Sequence, residues 1–271
     1  MKKPVARRHH YVPQSYLAFF TESEDKNGSF YALDRKTGKS FPTSPLNVAN
    51  IRDFNRIDVV GQRPDALESK FGEIEGKASE AIFWISQNRV FPNSEHWEYV
   101  INLIVLLLTR NPKEREIYDA LWIKAYGEDD HQASRKGRSK GSPNSYFEAV
   151  SYTSTQIFNC VAHRYWSIMI SEDDHPEFIS CDHPVVLKHK SDQGKAIGVC
   201  VKNTELIFPI SRRVALYGVF EDQLDPIYKC SPGEIARINN EVVNNAFMHI
   251  FSARTEFTIL SNGEIGIVEV V

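Results

Sequence analysis

Apolar and polar positions alternate along residues 28 to 42, and this period of two predicts a hairpin. Ser29-Phe30-Tyr31-Ala32-Leu33 forms one arm, Arg35-Lys36-Thr37-Gly38 the turn and Lys39-Ser40-Phe41 the return. After Pro64 and Asp65 the period changes. Leu67, Phe71, Ile74, Ala78, Ile82 and Ile85 recur at helical spacing. A second helix follows Pro92-Asn93-Ser94 and runs to Asn111-Pro112; between Leu103 and Leu108 it is apolar nearly all round, the mark of a central buried helix. A third is predicted over Lys113 to Ala125, a polar excursion over Gly127 to Ser145, and a fourth helix from Tyr146 to about Arg164.

From Trp166 the texture turns strand-like. Short apolar runs occupy Ser167 to Ile170, Phe178 to Ser180, Val185 to Leu187, Ile197 to Val201, Leu206 to Ile210 and Val214 to Phe220. Ser231-Pro232-Gly233-Glu234 opens one more helix with a capping box, and strands near Met248–Ile250 and Thr258–Leu260 close the chain. Helices cluster in the middle and strands toward the end, without internal repeats. The predicted class is therefore α+β: a central helical bundle packed against a mostly antiparallel sheet formed largely by the C-terminal half. The expected organisation is a single domain, with an N-terminal segment and hairpin (1–60), a helical region (64–165) and a sheet-rich region (166–271).

Composition changes this picture little. The 271 residues are 42% hydrophobic and 25% charged, with net charge −3, which excludes a global basic field for nucleic acid. Two local basic clusters stand out, Lys2-Lys3 with Arg7-Arg8, and Arg135-Lys136 with Arg138 and Lys140. The basic start leads into histidines and proline, not a long apolar stretch, and Ile101 to Leu108 is too short to span a bilayer. Four irregularly spaced cysteines, Cys160, Cys181, Cys200 and Cys230, are expected to be reduced thiols. The expectation is a cytoplasmic protein with no membrane partner.

Chemistry concentrates first in Arg7-Arg8-His9-His10-Tyr11-Val12-Pro13. Pro13 favours extended geometry before it, so His9 and His10 point opposite ways and one of them can face a cleft. His10 is the candidate, as general base or metal ligand, with Arg8 and Tyr11 as substrate-binding neighbours. Glu68 and Glu75, seven apart on the first long helix, project from one side; they fit either a solvated face or a pair that binds a divalent metal. Arg110 closes the buried helix and suits either its free carbonyls or an anion such as a phosphate or Asp182. Asp182-His183-Pro184 sits between two strands, where a turn or a site is equally natural. Asp182 is the candidate metal-binding and catalytic carboxylate and His183 a substrate-binding group. Cys160, His163, Cys181 and His183 offer four zinc ligands, but at no finger spacing, so zinc is not expected. Asn240 and Asn244 share a helix face, with a structural use favoured. No P-loop, Gly-x-Gly-x-x-Gly, Gly-x-Ser-x-Gly or His-Glu-x-x-His occurs.

His9-His10-Tyr11-Val12-Pro13-Gln14, followed by Tyr16-Leu17 and Phe19-Phe20, resembles the opening of a bacterial family, domain of unknown function number 4238. The resemblance continues through Tyr31 to Lys39, Leu67-Glu68, Glu75, Arg110, Ser180 to Pro184, Phe208 to Ser211 and Asn239-Asn240, with Cys181 a one-residue departure. It supplies a family and no activity. The residues themselves support three functions. The first is a nuclease-like phosphodiester hydrolase using Mg²⁺ or Mn²⁺, with His10, Glu75 and Asp182 as ligands and Arg110 on the phosphate. DNA or RNA would be its partner, and analogy points to defence against phage. The second is a base-excising glycosylase with Tyr11 or Trp166 stacked on the base. The third is a non-catalytic sensor or partner-binding module.

Overall fold

Pro13 and the alternation before it place an extended strand, not a helix, at the start of the chain. The computed structural model describes residues 7–56, 63, 65–129, 144–191, 198–221, 224–261 and 263–270, with side chains from residue 150 onward in the helix that begins at Asn144. Strand β1 (Arg8–His10) pairs antiparallel with β4 (Asn50–Arg52), His9 opposite Ile51 and His10 opposite Asn50. Between them come a short helix, α1 (Gln14–Leu17), and the predicted hairpin β2 (Phe30–Asp34) and β3 (Ser40–Thr43). Asp34 accepts the backbone amides of Lys36 and Thr37, and Gly38 takes φ +67° to complete the turn.

Helix α2 (Ala66–Asn88) is amphipathic, and its burial is lopsided. Ala78, Ala81, Ile82 and Ile85 are fully buried, whereas the first half, with Glu68 and Glu75, is only partly covered. Helix α3 (Ser94–Thr109) starts on the Asn93 side chain, which accepts the His96 amide, and is the buried central helix that its composition predicts. It packs between α2 and α5 (Asn144–Ala162). Helix α4 (Pro112–Tyr126) is capped by Asn111 and leaves Ile117, Leu121 and Tyr126 exposed. Part of the predicted polar excursion, with Arg135 to Lys140, lies outside the described residues.

The second half builds two sheets. One has five strands in the order β10-β5-β9-β8-β7: β5 (Tyr165–Ile170), β7 (Val186–His189), β8 (Thr204–Pro209), β9 (Val214–Val219) and β10 (Ile227–Lys229). Only β10 and β5 run parallel in it. The other, β3-β2-β11-β6, adds β6 (Ser180–Cys181) and β11 (His249–Ser252) to the N-terminal hairpin. Helix α6 (Pro232–Asn245), with the predicted Ser231–Glu234 capping box, precedes β11, and the β12 (Glu256–Ser261) and β13 (Glu264–Glu269) hairpin ends the chain.

Alternation along the five-stranded sheet divides the core. Ile168, Ile170, Leu206, Phe208, Val214 and Leu216 join α2, α3 and the N-terminal segment on one face. Met169, Ile207 and Ala215 join Ile235, Ile238 and Val242 of α6 on the other. The α+β class holds. Of the expected strand over 197–201, the described residues 198–201 form none: Val199 and Cys200 lie in a turn. Cys200 is bonded to Cys160 of α5 (S–S 1.99 Å), which corrects the expectation of four reduced thiols. Among the described residues no helix is long and apolar enough to cross a membrane.

Candidate functional site

The alternation of β1 sends its two histidines to opposite destinations. His9 is buried, 1% exposed, and its Nδ1 accepts the Asn55 amide at 2.8 Å. That nitrogen therefore carries a lone pair, and its 3.6 Å approach to Glu68 Oε1 is not an ion pair. Glu68 is held instead by the Asn55 side-chain amide at 2.5 Å. His10 is half-buried. Its Nε2 donates to the Leu46 carbonyl at 3.2 Å, which leaves Nδ1 as acceptor for the Gln14 amide at 3.3 Å. Burial pulls the His10 pKa below its ordinary value, opposed by the Leu46 carbonyl and Glu68 and assisted by Arg8 and Arg110, so the ring is neutral at pH 7.

Nearly two turns further along α2 from Glu68, Glu75 meets Arg110. Arg110 ends α3, its backbone amide bonded to Leu106 O and its guanidinium only 2% exposed. Nη2 donates to Glu75 Oε1 at 2.5 Å, and the Phe71 ring covers the guanidinium at 4.5 Å. Nε and Nη1 have no acceptor. The anion that sequence reasoning offered to Arg110 was Asp182; the structure supplies Glu75, because both project from the facing sides of α2 and α3.

Asp182 serves the backbone. Its Oδ1 and Oδ2 accept the Phe247 and Met248 amides at 2.8 and 2.7 Å, and Asn245 donates to the carbonyls of His183 and Val185. The Ser180-to-Pro184 motif is thus clamped to the connection between α6 and β11. Burial raises the Asp182 pKa, against the pull of those amides. His183 is 8% exposed, with neither ring nitrogen hydrogen-bonded, and burial with Lys113 nearby lowers its pKa to about 4. Arg8 is exposed on β1, and Tyr11 is buried against Phe54 with ring centroids 6.0 Å apart.

The structure therefore gathers His10, Glu68, Glu75 and Arg110 around the N-terminal strand and places Asp182 and His183 on the sheet side. Among the described residues no three His, Cys, Asp or Glu side chains assemble as a metal-binding group, so His10, Glu75 and Asp182 are not drawn together as ligands. Nor are the four residues weighed for zinc, since the Cys160 sulfur is bonded to Cys200.

A protein family of unknown function, DUF4238, matches residues 8–256, from the first residue of β1 into β12. The chain belongs to the DUF4238 family. No curated protein and no solved structure matches it. The DUF4238 match takes in both histidines, Glu75, Arg110 and the Asp182–His183 turn, so the whole arrangement lies within the family's span. Sequence reasoning missed the hydrogen bonds of Asn55, Gln14 and Asn245 to the candidate residues or the backbone that carries them. Gln14 was within reach of it, four residues after His10 and inside the N-terminal motif. Asn55 and Asn245 act across the fold, where spacing carries no signal.

Proposed function

We propose that this protein is a nuclease-like phosphodiester hydrolase whose phosphate site is Arg110. The observation that carries the reading is a buried guanidinium with two nitrogens unpartnered, Nε and Nη1, beside a neutral histidine. Buried donors left without acceptors are costly, and a phosphate oxygen is the acceptor a guanidinium suits best. In this scheme Arg110 holds a non-bridging oxygen, His10 Nδ1 takes the proton of the attacking water, and the water oxygen bonds phosphorus as the leaving oxygen departs with a solvent proton. The 3.3 Å bond from Gln14 is the one that the attacking water displaces. Mg²⁺ or Mn²⁺ dependence remains part of the proposal, with Glu68 and Glu75 as the partly open carboxylates. Asp182 acts as a positioning residue through the backbone it holds.

A second reading, a partner-binding module, draws support from one observation: both His10 ring nitrogens already have protein partners. Base excision draws less, because Tyr11 sits within the core. The deciding experiment incubates the protein with labelled single- and double-stranded DNA and RNA in Mg²⁺, Mn²⁺ or EDTA, beside His10→Ala and Arg110→Lys. Cleavage by the wild type that both substitutions abolish supports hydrolysis. Abasic sites formed in EDTA would replace it with base excision, and intact substrate in every arm would leave the binding module.

A further inference from the structure

A cavity of about 740 Å³ opens on the α5 side of α3, whereas Glu75 reaches Arg110 from α2. Its walls are largely apolar: Leu108 of α3, Ile117 and Leu121 of α4, Val150 and Ile157 of α5, and Val185 beside the sheet. Polar groups interrupt these walls. Lys113 and Glu114, both in the first turn of α4, line the cavity, as do Thr109, Thr153, Asn245 and His183. The size falls within the range of small-molecule sites, and the lining combines a mainly apolar body with polar side chains that could orient a ligand.

His183 is the telling residue. It is more than nine-tenths buried, and neither Nδ1 nor Nε2 has a hydrogen-bond partner. Buried polar atoms are normally satisfied, so an orphaned imidazole facing a cavity requires a reason. Accident is a poor one, because the backbone that carries the ring is firmly fixed. Asp182 accepts two amides on one side of it and Asn245 grips its carbonyl on the other. The opposite wall is fixed as well: Arg164 donates to Val199 O at 2.7 Å, and the Cys160–Cys200 bond ties that turn to α5. The described walls on both sides are tied in place, and the imidazole between them has no hydrogen-bond partner.

We infer that this cavity is a second ligand site, separate from the Arg110 cluster, and that it takes a small amphipathic carboxylate whose head accepts hydrogen bonds from His183 and Lys113 while its apolar body lies along α4 and α5. A neutral imidazole supplies one N–H donor; the lysine supplies the charge that an anionic head needs. The exposed apolar residues of α4, Leu121 among them, extend the wall that the body would cover.

Decanoate is the probe, with decanol as its uncharged counterpart, titrated by calorimetry into wild type, His183→Phe and Lys113→Gln. Phenylalanine keeps the ring and removes both nitrogens. One equivalent of decanoate should bind the wild type at least tenfold more tightly than decanol, and each substitution should weaken decanoate binding by about tenfold or more while leaving decanol unchanged. Binding of decanoate that both variants retain in full would overturn the assignment, as would the absence of saturable heat with the wild type. Should His183→Phe fail to fold, Lys113→Gln decides alone, supported by the His183 ring ¹⁵N shifts of the wild type, which must move on adding decanoate. These outcomes do not depend on nucleic-acid cleavage, so this site and the phosphodiester reading stand or fall separately.

Discussion

Arg110 and Glu75 meet at 2.5 Å with unequal shares of water: the guanidinium is 2% exposed and the carboxylate 19%. The pair is asymmetric in consequence. Losing the carboxylate strands a buried charge, whereas losing both members strands nothing.

Glu75→Gln should therefore destabilise the fold by roughly 2–4 kcal/mol, at or below the usual range for breaking a buried pair because Glu75 is partly open. The double variant Glu75→Gln/Arg110→Met should recover part of that loss. Urea unfolding of both variants measures it, and a double variant less stable than Glu75→Gln would contradict the account.

Asp182 answers two backbone amides at once. Asp182→Ala leaves both N–H groups unpaired and is expected to cost about 2–4 kcal/mol, with Asp182→Asn nearer half of that. Chemical denaturation should rank the three proteins in that order. The same substitution in a purely catalytic carboxylate would leave stability almost untouched.

Acid should expose His183. The unfolded chain takes up a proton near pH 6.5, but the folded ring resists one until about pH 4. Between those values the unfolded state binds more protons, so stability falls as pH drops from 6.5 to 4, by up to about 3 kcal/mol at 1.36 kcal/mol per pKa unit. Asp182, whose pKa is raised, works with the opposite sign and trims the loss. Stability measured against pH should be flatter for His183→Gln than for the wild type; parallel curves would refute the assignment.

The Cys160–Cys200 bond closes a loop with sequence separation 40. Chain entropy gives such a cross-link about 4 kcal/mol, so reductant, or Cys200→Ala, should lower the unfolding midpoint markedly. Cys181 and Cys230 are buried, so thiol reagents should find them only after denaturation.

The sequence revealed local elements better than distant partnerships. The α2 and α3 boundaries, the Lys36–Gly38 turn and the Ser231 capping box rest on residues within a few positions of one another, and each appears where the pattern predicts it. The β10 strand is different: its three residues are exposed, carry no alternation of burial, and earn their place by pairing with β5 across the chain. The same distinction runs through the candidate site. Glu75 and Arg110 stood out singly, but their meeting depends on how α2 crosses α3. The choice of Asn239 over Asn240 and Asn244 as the residue that bonds Ile179, Glu177 and Thr258 depends on which face α6 turns to the sheet. The disulfide is the extreme case, since irregular spacing hid two cysteines that the fold brings together.

Tyr16 donates to the carbonyl of Pro209, 193 positions later, and accepts from Ser180 on the way. These apolar residues thus leave a ribosome long before the strand that covers them is made. At about 5–20 residues per second, the Tyr16–Phe20 segment waits roughly 10–40 s for the strand that covers it. During that interval it is a sticky, unsheltered stretch of nascent chain, and the yield of folded protein rests on whatever shields it until β8 is made.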